Sequence, residues 1–381
     1  MKRILVFAVI LSMALGVTAF QCSSTEMTGA KLYIQQKKYD KAQEMLEQEL
    51  AKNPKNDEAN YWIGFIKGEN DDVEGMIEAY EASSGVSSKF AKDIENNKKY
   101  FWGKRFNAGV ALFNKASKAT DEDTIKMFFD KSIRSFNEAI MCQPDSAGTY
   151  LNLAFAQMNA GKNDEAIPTW KRIIELKPTS DAYAAVGEIY IQKAYDAGDD
   201  KTEAEKNYNE AIKILEAGRK AFPEDNIILR DLSNAYVGAN KIDVAIEAFK
   251  AGVAQEPENK FYRYNYGSLL LNIEDYASAA VQLQKAVDLD AEYMNALYNL
   301  GVTYVKWGAK MREELEAKED DSKEDSSKEY LKQFELAIPP MEKYLELKPD
   351  EPAIWELLGK VYANLGMAEK SKEAFEKADQ K

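Results

Sequence analysis

One pattern of small and large apolar residues recurs along this chain of 381 residues. Prolines mark its interval, because Pro144 lies 34 residues before Pro178 and Pro223 lies 34 residues before Pro257. Within each interval, two runs carry apolar residues every three or four positions, which is the spacing of one buried helix face. A fixed period of this length predicts an array of paired helices, in which each pair buries its apolar side against its neighbours.

The recurring positions alternate a small residue with a bulky one, and a proline ends the second helix of a pair. Four segments carry the pattern: Tyr150–Ala154 with Ala166, Trp170 and Pro178; Leu229, Leu232, Tyr236, Ala245, Phe249 and Pro257; Leu297, Leu300, Gly301, Tyr304, Ala337, Met341 and Pro349; and Trp355, Leu358, Gly359, Tyr362 and Phe375. This pattern resembles the tetratricopeptide repeat (TPR). The resemblance covers nearly the whole chain after its first twenty or so residues. It implies an all-α fold, a right-handed superhelical solenoid of about nine helix-turn-helix units.

The units are expected to begin near residues 23, 57, 102, 147, 180, 226, 260, 294 and 352. Units 1 and 2 then occupy residues 22–88, and a helical linker occupies residues 89–101. Units 3 to 8 occupy residues 102–351, and a C-terminal TPR or capping unit occupies residues 352–381. Insertions near 115–126, 192–206 and 310–332 interrupt the period, and the first two are expected to lengthen their helices. The third is strongly acidic between 312 and 329, and its Asp320–Ser327 stretch has no apolar residue. We expect a mobile acidic loop there.

The first 21 residues have the features of a signal peptide. Lys2 and Arg3 precede an apolar run, Ile4–Leu15, which is shorter than the roughly 20 residues that span a bilayer. Two interpretations of its removal remain open. Cleavage after Ala19 fits ordinary signal peptidase, whereas Cys22 lies where a bacterial lipoprotein carries its lipidated cysteine, although Phe20 and Gln21 depart from the usual lipobox. We expect an exported protein, periplasmic or anchored to the outer membrane through Cys22.

Composition argues against several kinds of chemistry. The chain has no histidine, which excludes histidine-based triads and histidine-ligated zinc. Its formal net charge of −14 disfavours a nucleic acid partner. Glycine-rich phosphate loops and nucleophile motifs are missing from the sequence, and Cys142 has no basic group to activate it. We therefore predict no catalytic residues, no cofactor and no metal.

In TPR proteins, ligands usually lie along the first helix of each unit, on the concave side. Transferring those positions predicts a mostly apolar groove that a peptide or an amphipathic helix would fill. Its members are Tyr61, Phe65, Phe106, Phe113, Leu151, Phe155, Met158, Tyr264 and Tyr298. The alternative is that some of these are core residues, assigned one position out of register.

A polar patch in the middle of the array resembles part of a carboxylate clamp, by which some TPR domains hold the C-terminus of a peptide. Arg230, Asn234 and Asn265 form the patch. Asn295 and Asn299 stand where the following unit of a full clamp has basic residues. The sequence therefore favours a polar peptide contact centred on Arg230 over a full clamp.

These observations predict a non-catalytic scaffold that binds protein or peptide partners in the TPR groove, on the exported side of a bacterial membrane. The alternative is an accessory subunit of a machine that assembles or secretes outer-envelope proteins. The sequence does not predict an oligomeric state.

Overall fold

A computed structural model describes residues 24–317 and 323–379, and their regular structure consists of eighteen α-helices without a strand. The helices pair into nine helix-turn-helix hairpins and form two compact units, divided between Lys177 and Pro178. The N-terminal unit contains α1 (Thr25–Gln35), α2 (Tyr39–Lys52), α3 (Asp57–Glu69), α4 (Val73–Val86), α5 (Ala91–Ala116), α6 (Glu122–Cys142), α7 (Ala147–Asn159) and α8 (Asn163–Leu176). The C-terminal unit contains α9 (Ser180–Asp196), α10 (Lys201–Ala221), α11 (Asn226–Gly238), α12 (Ile242–Gln255), α13 (Lys260–Asn272), α14 (Tyr276–Leu289), α15 (Met294–Glu316), α16 (Lys323–Leu347), α17 (Pro352–Asn364) and α18 (Ala368–Asp379). The predicted all-α solenoid of repeated hairpins is confirmed.

The 34-residue period follows from the standard hairpin. In α13 and α14, a first helix of 13 residues and a second of 14 are joined by a three-residue turn. Glu274 in that turn has a φ of 60°, and the Asp275 amide donates to the Leu270 carbonyl at 3.0 Å. This bond closes the end of the first helix and reverses the chain within three residues. Asp275 then caps the second helix by accepting from the Ser278 amide at 3.2 Å.

Small residues let the two helices of a hairpin approach closely. A Cβ atom built on Gly64 of α3 would lie 2.5 Å from the Tyr80 ring of α4. One built on Gly187 of α9 would lie 2.5 Å from Leu215 of α10. Both large side chains are buried, so each glycine provides the space that a bulky partner fills. The small-and-large alternation in the sequence is therefore the packing rule of each hairpin.

The insertions are largely absorbed into longer helices. Most of the linker 89–101 forms the first turns of α5, so the third hairpin begins at Ala91, well before the expected residue 102. Residues 115–126 contain the end of α5 and the start of α6, and residues 192–206 contain the end of α9 and the start of α10. The remaining hairpins begin within two residues of the expected positions.

The acidic insertion differs from the expectation. Residues 323–327, predicted as part of a loop, form the first turns of α16, and 318–322 lie outside the described residues. Farther along α16, the Tyr330 carbonyl approaches Gly308 of α15, and Phe334 is buried in the core. A helix anchored by such a segment extends through neighbouring residues of high helix propensity, including lysine and glutamate. The lack of apolar residues therefore does not indicate a loop there.

Candidate partner-binding surface

In each unit, several consecutive first helices lie side by side. In the N-terminal unit α3 contacts α5 and α5 contacts α7, and in the C-terminal unit α9, α11, α13 and α15 form a similar row. We call the side of a unit formed by this row its first-helix face. Most of the sequence-predicted groove residues lie on these helices, so the two faces are the candidate sites.

The first-helix face of the N-terminal unit carries an apolar surface on α5 and α7. We define this apolar surface by six residues: Phe106, Val110, Phe113, Leu151, Phe155 and Met158. Leu151 and Phe155 are 37% and 44% exposed, whereas the other four are half-buried. Large exposed side chains next to half-buried ones form the kind of surface that accepts an apolar ligand.

A layer of buried aromatic rings supports this surface. Phe106 packs on Phe136 with ring centroids 5.9 Å apart, and Phe113 meets the edge of Phe129 at 5.4 Å. The Trp170 indole nitrogen of α8 lies 3.3 Å from the Met158 sulfur of α7. Buried rings behind the surface residues restrict their rotamers, so the surface is organised before a ligand arrives.

The same surface has no charged residue. Residues 106–114 of α5 and all of α7, 147–159, contain no Asp, Glu, Lys or Arg. This is unusual in a chain in which 30% of the residues are charged. A charged ligand would find no ion-pair partner on these segments.

Two predicted groove residues of α3 contribute less than expected. Tyr61 is buried, because the ring of Phe90 stacks on it with centroids 4.7 Å apart and an angle of 9°. Burial also raises the pKa of Tyr61. Phe65 is half-buried between Trp62, at 5.8 Å, and Tyr39, at 6.2 Å. The prediction that Tyr61 faces an open groove is wrong, since the extra segment before α5 brings Phe90 over it.

The polar patch of the C-terminal unit is organised around an internal ion pair. Arg230 on α11 is exposed, but its guanidinium nitrogens Nε and Nη2 each lie 2.9 Å from the Asp231 carboxylate. The hydrogen bond to Asp231 raises the pKa of Arg230. Asp231 is buried, and its second oxygen accepts no hydrogen bond from the described residues. Asp231 is not among the sequence-predicted site residues, although its charge directly follows that of Arg230 in the chain.

The asparagines of this patch have different roles. Asn234 is exposed on α11, whereas Asn265 is buried and donates to the Phe261 carbonyl of its own helix at 2.8 Å. Asn299 donates to the Ser268 hydroxyl at 2.9 Å and to the Tyr264 hydroxyl at 3.4 Å. The prediction that Asn265 binds a ligand is therefore wrong, because its side chain is buried and its amide group donates to a backbone carbonyl of its own helix. A carboxylate at Arg230 would compete with Asp231.

The remaining predicted aromatic residues are partly available. Tyr264 is half-buried, and its burial raises the pKa of its hydroxyl. Tyr298 on α15 is exposed and lies 6.1 Å from the Tyr344 ring. The first-helix face of the C-terminal unit is thus more polar than the apolar surface of the N-terminal unit. Several of its polar side chains form hydrogen bonds with other groups of the same unit.

Other kinds of site find no support in the described ranges. They contain no group of three or more potential metal-binding Asp, Glu, Cys or His residues, and none of their helices has the length and apolarity needed to cross a bilayer. Cys142 is a free, buried thiol, and burial raises its pKa to about 11. Cys22 lies outside the described residues, so its predicted lipidation stays a prediction.

Family models described as tetratricopeptide repeat match residues 27–65, 149–180, 195–259, 230–296 and 352–380, which together cover more than half of the chain. No curated protein matches the sequence.

Solved structures that match part of the chain include three proteins. The MamA protein is 22% identical over 51% of this chain and 90% of its own, with a TM-score of 0.35. YrrB, a TPR protein with an unusual peptide-binding site, is 20% identical over 58% and 96%, with a TM-score of 0.35. A thermophilic TPR protein of Thermus thermophilus, TTC0263, is 17% identical over 53% and 98%, with a TM-score of 0.34.

Repeats of this kind generally serve as non-catalytic scaffolds for protein interaction. The family matches, read with the nine hairpins of the described chain, show that this protein belongs to the tetratricopeptide repeat family.

Proposed function

We propose that this protein is a non-catalytic scaffold that acts after export and binds an apolar segment of a partner protein on the apolar surface of α5 and α7. One observation carries the proposal. Leu151 and Phe155 expose large apolar side chains on a helix that has no charged residue. Leaving such side chains in water is unfavourable, and a partner that covers them gains the free energy of their burial.

The chemistry of the surface defines the class of partner. Aromatic rings and a methionine accommodate apolar side chains of varied shape, as in grooves that accept an amphipathic helix. The uncharged segments 106–114 and 147–159 offer no ion pair to a phosphate backbone or to a highly charged peptide. We therefore infer an apolar helix or extended segment as the ligand, and no nucleic acid.

The proposal of export rests on the sequence. Lys2, Arg3 and the run Ile4–Leu15 have the composition of a signal peptide, and Cys22 follows at the distance expected for lipidation. Mass spectrometry of the mature N-terminus tests this directly. A diacylglyceryl-modified Cys22 supports a lipoprotein, and a free Phe20 supports a soluble exported protein. A chain that keeps Met1 would overturn export.

Site-specific crosslinking tests the binding surface. A photoreactive phenylalanine analogue at position 155 should form discrete adducts with partner proteins in the native host. The matched control places it at Val281, which is 57% exposed on the second helix α14. Adducts at 155 that disappear in the Leu151→Ser variant support the proposal, whereas equal adducts at both positions contradict it. The identity of the partner then separates a general scaffold from an accessory subunit of outer-envelope assembly.

A further inference from the structure

A cleft of about 640 Å³ opens at the N-terminal end of α5. The first turns of α5, residues 91–102, form one side of it, and the turn between α6 and α7, residues 143–146, forms the other. Its apolar lining includes Ala91, Ile94, Trp102 and Pro144. The volume lies within the range of about 300–1,000 Å³ that is typical of ligand sites. The extra turns that break the repeat period therefore build one wall of a cleft large enough for a ligand.

This cleft continues the apolar surface of α5 and α7. Trp102 lines the cleft and also stacks on Phe106, the first residue of the apolar surface, with ring centroids 5.5 Å apart. Lys98, Trp102, Phe106 and Val110 recur every four positions and so follow one side of α5. The Trp102 indole donates to the Thr149 hydroxyl at 3.0 Å, which holds the ring against α7. A segment bound on the apolar surface can therefore extend over Trp102 into the cleft.

Four charged side chains line the cleft, and one of them has no ionic partner among the described residues. Glu95 and Lys99 pair with each other at 2.6 Å. Asp145 pairs with Arg172 of α8 at 3.1 Å. Lys98 is half-buried and forms no ion pair within residues 24–317 and 323–379. A carboxylate from a ligand would give Lys98 a partner without breaking an ion pair that the unit already contains.

The other charges around the apolar surface do not offer a second position of this kind. Lys92 and Asp93, in the first turn of α5, are both exposed and offset each other. Lys115 and Lys118 are exposed at the opposite end of α5, but residues 121–123, which follow them, are all acidic. The charge of Lys98 therefore distinguishes the cleft end of the apolar surface from its other end.

We propose that the partner's apolar segment ends in a bulky apolar residue next to an acidic residue, and that this end occupies the cleft with its carboxylate beside Lys98. The inference rests on the proposed binding to the apolar surface and adds the charge and the direction of the bound segment. The bulky side chain covers Trp102 and Pro144, while the carboxylate stays partly in water with Lys98. An ion pair at such a position contributes more to specificity than to affinity.

End-blocked synthetic peptides are the probe. A helical peptide of about 14 residues, built from Ala, Gln and Leu with one apolar face, ends in Phe-Glu-Glu, Phe-Gln-Gln or Phe-Lys-Lys. A second set carries the same groups at its N-terminal end, and fluorescence anisotropy at low salt gives the dissociation constants. In one of the two sets, the Glu peptide should bind about three- to five-fold more tightly than the Gln peptide, and the Lys peptide more weakly. Lys98→Gln should abolish this preference, and Lys98→Glu should reverse it.

A charge reversal at the other end of α5 is the matched control. Lys115→Glu makes the same change in net charge about 25 Å away along the helix and should leave the preference for the Glu peptide intact. Equal effects of the two reversals would overturn the proposal, because the charge would then act without a local contact. Equal binding of the Glu and Gln peptides to the original protein would overturn it as well.

The proposed function is read separately, from the neutral Gln peptide. Its binding should be lost in the Leu151→Ser variant, whatever the charge at position 98. Binding of the Gln peptide without a preference for Glu leaves the apolar surface standing and rejects only the role of Lys98. If no peptide binds the original protein, the apolar surface and the cleft are both rejected as a site for such segments.

Discussion

Phe155 and Trp170 meet edge to face, with ring centroids 5.4 Å apart and their planes at 90°. Trp170 is buried, whereas Phe155 is 44% exposed. An aromatic pair of this geometry is favourable beyond the area that it buries. The buried Trp170 indole thus holds the exposed Phe155 ring in place. Phe155 therefore loses little further conformational entropy when a partner binds to it.

This pair predicts a separation of binding from stability. Phe155→Ala should lower the free energy of unfolding by only about 1–2 kcal/mol, because much of the ring is already in water. Trp170→Ala should lower it by about 3–5 kcal/mol, the cost of a large cavity in the core. Urea denaturation measures both. Partner adducts formed by a photoreactive group at position 151 should disappear when Phe155→Ala is added. If Phe155→Ala destabilised the protein as much as Trp170→Ala does, the separate roles of the two rings would be contradicted.

The close approach of α3 and α4 gives a second prediction. Gly64→Ala should destabilise the protein by about 1–3 kcal/mol, because the new methyl group would meet the buried Tyr80 ring and force a shift. Gly103→Ala is the matched control, since a Cβ atom there meets nothing within 4 Å in the interior of α5. That substitution should raise stability by up to about 1 kcal/mol through helix propensity. Chemical denaturation of both variants should give changes of opposite sign.

Much of this fold could be predicted from the sequence, because a repeat tests the same rule many times. The repeat is visible in the spacing of Pro223 and Pro257 and in small residues such as Gly187. These positions are set by contacts within one hairpin or between neighbouring hairpins. Such local contacts produce a regular pattern. The pattern cannot show how a residue outside the period packs. Phe90 covers Tyr61 in that way, and so Tyr61 does not face an open groove.

The candidate surface was predictable only in part, for a related reason. Helical spacing places both Phe155 and Asn265 on the first helix of a hairpin. It does not decide which side chain reaches water, because one position in register separates an exposed face from the core. Burial of Asn265 depends on its neighbours in space and on the carbonyl that it binds. The Arg230–Asp231 ion pair also needed coordinates, although both charges are visible in the sequence.

The buried Glu49 carboxylate should be important for the first hairpin. Glu49→Ala removes the acceptor of both Ser24 and Asn56 and should cost about 2–3 kcal/mol, as expected for hydrogen bonds to a buried charge. Glu47→Ala is the control. Glu47 is exposed on the same helix and, among the described residues, accepts only from Gln43, so the change should stay within about 0.5 kcal/mol. Hydrogen exchange in α1 should rise with the first variant only, and equal exchange in both would disprove this role for Glu49.

The buried thiol predicts a loss of stability at alkaline pH. Burial raises the pKa of Cys142 from 9.0 in its ordinary state to about 11, so the native chain keeps its proton when the unfolded chain has lost it. The thiol therefore contributes its full stabilisation below pH 9, and this contribution falls as the pH rises from 9 to about 11. Cys142→Ala should flatten the fall in unfolding free energy over that range relative to the original protein. In a Cys22→Ser background, Cys142 should resist a thiol reagent at pH 8 until the chain is unfolded in urea. Rapid labelling of the folded protein would show that this thiol is accessible and would remove the basis of the predicted pH dependence.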